Sequence, residues 1–397
     1  MKSHQKHDSQ SFTRNGVSII RGGSEYFKLV VELIDSATHT IQLLTYIFEA
    51  DETGQKVSDA LIRAARRNVK VFVVVDGYAS QHLPGYFRDN LKEAGINFRF
   101  FDPLLKTNHF YFGRRLHSKV LVVDSRFSLL GGINITNRYN DMPGQPAWLD
   151  FAVLAEGPVA IELCQVCWRI WKGFQITYIN DPCRGELLTG KLHQEFSALV
   201  RLRRNDWTGK KLEITNSYLK MFRTAKSHIT LLSSYALPGS IFRKNLVRAV
   251  KRGVKIRMII SGQSDVMLVK QAERYWYKWL LRHNIEIYEY TKNVLHGKLA
   301  ICDNEWLTIG SYNVNDLSAY ASIEVNLDIA DVAFAVSVET EMQKIINNDC
   351  VRVSNGSLIY SNSIFSKLGY WFSYNILRVT FNLFTFYYRQ KNNQHIK

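Results

Sequence analysis

Two stretches of this chain carry one pattern. Leu116-His117-Ser118-Lys119-Val120-Leu121-Val122-Val123-Asp124 is followed, after six residues, by Gly131-Gly132-Ile133-Asn134. Leu295-His296-Gly297-Lys298-Leu299-Ala300-Ile301-Cys302-Asp303 is followed at the same interval by Gly310-Ser311-Tyr312-Asn313. Both read His-x-Lys-x4-Asp-x6-Gly-[Gly/Ser]-x-Asn. A single chance His-x-Lys-x4-Asp turns up in roughly a few per cent of chains this long. Two copies with matched glycines and asparagines mark a duplication. The chain is therefore expected to fold as two related halves, each supplying half of one active site.

The rest of the sequence agrees with a doubled α/β protein. Its 397 residues suffice for two domains with full cores. A helical apolar period over 23–37 precedes a strand at 40–48, a second helix at 51–68 and a strand at 69–75 that is apolar but for Lys70. A further helix-strand pair covers 87–100. Strands alternating with helices predict an α/β layer fold around a mixed, mainly parallel sheet. The order then recurs: Ile229-Thr230-Leu231-Leu232 echoes Ile41-Gln42-Leu43-Leu44, and Gly253-Val254-Lys255-Ile256 echoes Asn68-Val69-Lys70-Val71. Residues 1–15 are expected to be disordered, with domains at 16–185 and 186–355 and a distinct tail at 356–397.

Hydrophobic residues make up 46% and charged residues 22%, which excludes wholesale disorder. The formal net charge of +16 draws the protein to polyanions, whether nucleic acid, an anionic membrane or a phosphate-bearing substrate. Five cysteines, an odd and sparse set, argue for a reducing compartment rather than a disulfide framework. Cys164-x2-Cys167 lies in an apolar helical pattern without a second Cys/His pair, so core packing is expected rather than half a zinc site. The first fifteen residues have no apolar core of a signal peptide, so no leading anchor is expected. In the tail, 364–389 is dense in aromatics yet interrupted by Lys367, Asn375, Arg378 and Asn382. That suits an interfacial amphipathic helix better than a spanning one.

The repeated residues suggest phosphoryl chemistry. His117 and Lys119, two apart on a strand, project to one face, as do His296 and Lys298. Two ammoniums suit the non-bridging oxygens of a phosphodiester. One neutral imidazole can attack phosphorus, and the other can shuttle the proton of the leaving and entering oxygens. Asn134 and Asn313 can donate amide hydrogen bonds to phosphoryl oxygens or simply form turns. Gly132 and Ser311 stand where backbone can approach a bound group. Asp150 and Glu324, at matching places in the two halves, are candidates to fix each imidazole's tautomer. Asp124 and Asp303 open turns, leaving a structural role and direct participation both open. Arg114 and Arg115 fit phosphate steering or an exposed strand edge equally well. The design needs no metal or cofactor.

Both motifs resemble the HKD signature of the phospholipase D superfamily, over roughly residues 20–350. Within that span, Thr45-Tyr46-Ile47-Phe48-Glu49, Gly131-Gly132-Ile133-Asn134, Trp148-Leu149-Asp150 with Glu156-Gly157-Pro158, and His296-Gly297-Lys298 resemble bacterial cardiolipin synthases, most of all the short group without N-terminal transmembrane helices. Ser118 departs from that group, which often has Arg there. The resemblance implies two tandem phospholipase D-like domains related by a pseudo-twofold axis. It also implies phosphatidyl transfer from phosphatidylglycerol through a phosphohistidine, with His117 as nucleophile and His296 as acid/base. An anionic phospholipid membrane is then the expected partner, at the cytoplasmic face of a bacterial cell membrane, and nucleic acid is not. Hydrolysis as a phospholipase D or nuclease, and a non-catalytic membrane scaffold, are the competing readings; the sequence leaves the oligomeric state open.

Overall fold

The computed structural model describes residues 11–102, 115–174, 182–183, 195–206, 211–315, 318, 322–354 and 368–380. In the first half the strands are β1 (Thr13–Arg21), β2 (Thr40–Thr45), β3 (Lys70–Asp76), β4 (Asn97–Phe101), β5 (Arg115–Leu116), β6 (Lys119–Val123), β7 (Phe127–Gly131) and β8 (Phe151–Glu156). In the second half they are β9 (Phe196–Asp206), β10 (Lys211–Leu212), β11 (His228–Ser233), β12 (Lys255–Ser261), β13 (Ile285–Tyr290), β14 (Lys298–Cys302), β15 (Trp306–Gly310), β16 (Ser322–Ala330) and β17 (Cys350–Arg352). Helices α1 (Ser24–Ser36), α2 (Glu52–Arg66), α3 (Gly85–Glu93) and α4 (Pro158–Trp171) belong to the first half. Helices α5 (Glu213–Thr224), α6 (Ser240–Lys251), α7 (Met267–Arg282) and a long helix at Val332–Asp349 belong to the second.

The pairing is palindromic. The first half runs β4-β3-β2-β6-β7-β8-β1, and the second runs β9-β16-β15-β14-β11-β12-β13-β17. Antiparallel pairing of β1 with β9 joins them, with Asn15 opposite Ala198. The sheet is mixed, and its parallel part is narrower than expected. Parallel pairing within each half is confined to β2-β3-β4 and β11-β12-β13, whose connections pass through helices. The motif strands β6 and β7 are joined by a tight turn, which forces them antiparallel, and β8 returns antiparallel to β7 after the longer connection 132–150. Residues 13–15, expected to be disordered, are the start of β1, because β9 pairs with them, Thr13 opposite Val200 and Arg14 opposite Leu199.

Side-chain alternation explains the layers. In β3, Val71, Val73 and Val75 face a core with α1 and α2, while Val74 faces a central core. Both faces are thus covered, as a continuous apolar run requires. That central core draws on both halves, mixing Val120 and Val153 with Leu299, Ile309 and Leu327. Asp51 caps α2 by accepting from Gly54 N at 2.9 Å, and Asp331 caps the long helix by accepting from Phe334 N at 2.8 Å.

The cysteines depart from expectation. Cys164 of α4 is joined to Cys183 by a disulfide across 19 residues. Pairing depends on proximity in the fold, which cysteine count and spacing do not reveal. Cys167 is a buried core residue. Among the described residues no helix is long and apolar enough to cross a membrane.

Candidate active site

Each histidine is delivered by a strand that leans on the opposite half. Leu116 of β5 pairs in parallel with Ile323 of β16, and the Ser118 hydroxyl donates to Ile323 O at 2.8 Å. In mirror fashion Leu149 N donates to Val294 O at 2.9 Å, and His296 N donates back to Leu149 O at 2.7 Å. Ile323 directly precedes Glu324, and Leu149 directly precedes Asp150. This stitching therefore carries each acid to the other half's imidazole.

The exchange is complete. His117 Nδ1 lies 3.0 Å from Glu324 Oε2, and His296 Nδ1 lies 2.7 Å from Asp150 Oδ2. A carboxylate at Nδ1 holds the proton there and leaves Nε2 as the free nitrogen of a neutral ring. Burial lowers the pKa of both imidazoles; Glu324 opposes this at His117, and Lys298 adds to it at His296. Burial alone would raise Asp150, yet Lys298 and His296 hold its carboxyl below the usual range. Glu324 also accepts from the Ser311 hydroxyl at 2.5 Å, while Asp150 accepts from Phe151 N at 2.7 Å. The glycine at 132 is a steric necessity. A Cβ there would sit 2.5 Å from both Asp150 carboxylate oxygens.

The lysines are almost wholly buried beside the histidines. Lys119 Nζ donates to His117 O at 2.6 Å, and Lys298 Nζ donates to His296 O. Lys298 Nζ also lies 2.9 Å from His296 Nδ1, but that nitrogen has one site and Asp150 takes it, so the carbonyl is the lysine's partner. Burial lowers Lys119 to about 7 and Lys298 to about 8. A bound phosphodiester would return counter-charge to both.

One cavity of about 350 Å³ unites the halves. His117, Asn134, Arg115, Arg138 and Tyr46 line it from the first half, and His296, Asn313, Tyr235 and Asp265 from the second. Leu237, Val266, Val269 and Leu377 give it an apolar side. Asn134 Oδ1 accepts from Ile47 N at 3.1 Å, and its amide donates to the Tyr139 hydroxyl at 2.9 Å. Asn313 Oδ1 accepts from the Ser234 hydroxyl at 2.7 Å, which turns its NH2 group toward other acceptors. Arg115 is both cavity lining and ion pair, 3.5 Å from Asp76; Arg114 lies outside the described residues.

Asp124 and Asp303 stand elsewhere. Each follows the far end of its motif strand at positive φ, 52° and 54°, in the turn to the next strand. Asp124 accepts from Thr38 N, Thr38 Oγ1, His39 N and Thr40 N at 2.7–2.9 Å. Asp303 accepts from Lys226 N, Ser227 N, Ser227 Oγ and His228 N at 2.8–2.9 Å. Both clamp the loop entering the neighbouring strand and neither lines the cavity. Of the two roles left open by the sequence, structural or direct participation in catalysis, these contacts are of the structural kind. Four strand residues separate each from its lysine, which puts it at the opposite end of the strand.

Two residues escaped the sequence reading. Leu116 N donates to Asp76 Oδ2 at 2.8 Å, and Leu295 N donates to Ser261 Oγ at 2.9 Å. Asp76 and Ser261 end the equivalent strands β3 and β12, so the residue before each histidine is tied at the same place in its half. Tyr46, part of the stretch that carries the family resemblance, also stands at the first motif. Its ring meets His117 edge-on at 4.9 Å and lies 5.0 Å from Lys119 Nζ. The only available signal for Asp76 and Ser261 was their matched position in the repeat.

A palindromic α/β sheet bringing two histidines to one cavity, each backed by a carboxylate and with a buried lysine beside it, defines an enzyme of the phospholipase D class. The family model described as "Cardiolipin synthase, PLD-like domain" matches residues 30–144 and 218–346. The chain belongs to this family, and its activity class is phosphatidyl transfer. It is 34% identical over 357 residues to "Cardiolipin synthase B" of Salmonella typhimurium, covering 87% of this chain and 83% of the relative. Identity to "Cardiolipin synthase B" of Escherichia coli K12 is 32%, with the same coverage. Identity to "Cardiolipin synthase 1" of Bacillus anthracis is 27%, over 85% of this chain and 66% of the relative. Among solved structures, phosphatidylserine synthase from Haemophilus influenzae matches with a TM-score of 0.67 at 14% identity, covering 86% of this chain and 89% of that one, a likeness of fold.

Proposed function

We propose that this chain moves a phosphatidyl group from phosphatidylglycerol to the hydroxyl of a second phospholipid, the reaction of a cardiolipin synthase, through a phosphohistidine. The observation that carries this reading is the reciprocal exchange of carboxylates: His117 with Glu324 and His296 with Asp150, at one cavity. With Nδ1–H engaged, His117 Nε2 has a lone pair for in-line attack on phosphorus. As the N–P bond forms, the bond from phosphorus to the glycerol oxygen breaks, and His296 protonates that oxygen. The acceptor hydroxyl then gives its proton to His296 Nε2 while its oxygen attacks phosphorus and breaks the N–P bond. Both rings end as they began. Lys119 and Lys298, with the amides of Asn134 and Asn313, hold the non-bridging oxygens as charge shifts among them.

Burial and Lys298 disfavour the charged form of His296, so it needs the substrate's negative charge to hold the proton it donates. Among the described residues no group of His, Cys, Asp and Glu is placed to hold a metal ion, and this scheme uses none. Water in place of the second lipid would give hydrolysis; the apolar cavity wall of Leu237, Val266, Val269 and Leu377 favours a lipid acceptor. The reading puts the protein peripherally at an anionic bilayer, with the region after residue 355 contributing to attachment. Of that tail, only 368–380 lies within the described residues. The Cys164–Cys183 disulfide removes the cysteine argument for the cytoplasmic side.

The deciding test is lipid mass spectrometry of a cardiolipin-deficient bacterial host expressing the wild type or His117→Ala. Cardiolipin is expected with the wild type alone. Equal cardiolipin from both would remove His117 as the nucleophile, and nicked plasmid DNA without any lipid product would replace the transferase reading with a nuclease.

A further inference from the structure

The helix at 368–380 is apolar on two opposite sides. Its inner side is fixed to the body of the enzyme. Leu377, 9% exposed, lines the active cavity and packs in a small cluster with Leu237 and Ala272. Tyr374 stacks on Tyr275 with centroids 4.8 Å apart and meets Trp276 edge-on, and the Ser373 hydroxyl donates to Gln271 at 2.6 Å. The outer side carries Leu368, Trp371, Phe372, Ile376 and Val379, which are 37–60% exposed. Positions 368, 372, 376 and 379 form one stripe along the helix. The outward stripe of a surface helix is ordinarily polar, and a contiguous apolar ridge marks an interaction surface. Val266, which lines the cavity, and Met267 beside it extend the apolar rim with exposures of 41% and 69%.

The charge around this ridge identifies what covers it. Arg378 is the only ionisable chain of formal charge on 368–380, and α6 contains no acidic residue. Arg243 of α6 lies 4.1 Å from the Trp276 ring, against the inner side of the ridge helix. On α7, Arg274 and Lys278 are exposed, whereas its one acid, Glu273, is buried. Apart from Asp265 beside Val266, the exposed charges named around these apolar and aromatic side chains are cations, which matches the boundary between the anionic headgroups and acyl chains of a bilayer.

We propose that 368–380, with Val266 and Met267, is a seating ridge that presses the mouth of the active cavity onto an anionic phospholipid surface. The outer face enters the headgroup-acyl boundary while Leu377, one turn away, completes the cavity wall. A lipid headgroup then passes from the membrane into the site without its acyl chains crossing water. The choice of lipid as substrate rests on the function proposed above; the ridge itself is tested by binding.

The test uses the full chain and the double variant Phe372→Ser/Ile376→Ser, whose residues do not line the cavity. Binding and turnover are measured on vesicles of phosphatidylglycerol and phosphatidylcholine, and turnover also on monomeric short-chain phosphatidylglycerol. The variant should lose roughly tenfold or more in vesicle binding and vesicle turnover. Its turnover of the short-chain lipid should stay within about twofold of the wild type, as for a surface change. Undiminished vesicle binding would overturn the ridge, and so would an equal loss on both substrates. A wild-type dimer that the variant breaks, with vesicle binding intact, would reassign the face to a second copy. A wild type that binds vesicles through the ridge but turns over neither lipid would count against the transferase reading and leave the ridge standing.

Discussion

His296 Nδ1 and Asp150 Oδ2 lie 2.7 Å apart although 146 residues separate them along the chain. The acid belongs to the first half and the base to the second, and Glu324 with His117 repeats the arrangement in reverse. Both His-carboxylate pairs of the site are thus made across the two halves. Asp150→Asn and Glu324→Gln keep the shape but remove the charge that fixes each tautomer. Each is expected to lower kcat by on the order of 10²–10⁴, read as steady-state phosphatidyl transfer with the melting temperature as the control for folding. Full turnover in Asp150→Asn would end the orienting role.

Gly132 makes room for that carboxylate. Gly132→Ala pushes a methyl to within 2.5 Å of both Asp150 oxygens, so Asp150 must shift away from His296. Misplacement of this kind costs about 10–100-fold in kcat. Ser311→Ala, at the equivalent place, removes only a hydroxyl bond to Glu324 and should cost less. If Ser311→Ala proved the more damaging, the steric account of Gly132 would be wrong.

Lys119 and Lys298 give the pH dependence. Both act as cations, and burial brings them to about 7 and about 8. Rising pH strips the free enzyme of these charges, so kcat/KM should begin to fall above about pH 7 and fall more steeply above about pH 8, far below the ordinary lysine pKa of roughly 10.4. Folding stability has the opposite sign. Between the depressed values and the ordinary one the unfolded chain binds more protons, so these groups make stability rise with pH. A kcat/KM profile flat to about pH 10 would show that the ammoniums are not poised this way.

Asp124→Ala and Asp303→Ala should be stability variants. Each leaves loop N–H groups without their acceptor, at a cost of about 1–3 kcal/mol, measured by denaturant unfolding. The folded fraction should keep its transferase activity. Hydrogen bonds from the loop outweigh burial and lower Asp303 to about 2. Its contribution is present above the ordinary carboxylate pKa near about 4 and is lost as pH falls toward 2. Normal melting with abolished turnover would return these aspartates to the active site.

Much of this was legible because a repeat exposes itself. His117, Lys119, His296 and Lys298 stood out by recurrence, and Asp150 and Glu324 by equivalent position. Asp76 and Ser261 did not, because different residue types do the same work in the two halves and leave no shared letter. Asp124 and Asp303 share every letter of the motif yet bind backbone rather than line the cavity; recurrence marks constraint without saying which constraint. The Cys164–Cys183 bond was hidden for a simpler reason: the intervening residues give no sign that the chain turns back.

The sequence by itself determined a duplicated α/β protein with two His-Lys pairs, since strand periodicity and a repeated motif are local properties of the chain. Only the tertiary structure decided which acid serves which imidazole. Pairing of Leu116 with Ile323 and of Leu149 with Leu295 across the two halves puts each histidine within hydrogen-bonding distance of the other half's carboxylate, a contact between residues too far apart in the chain for local sequence to specify.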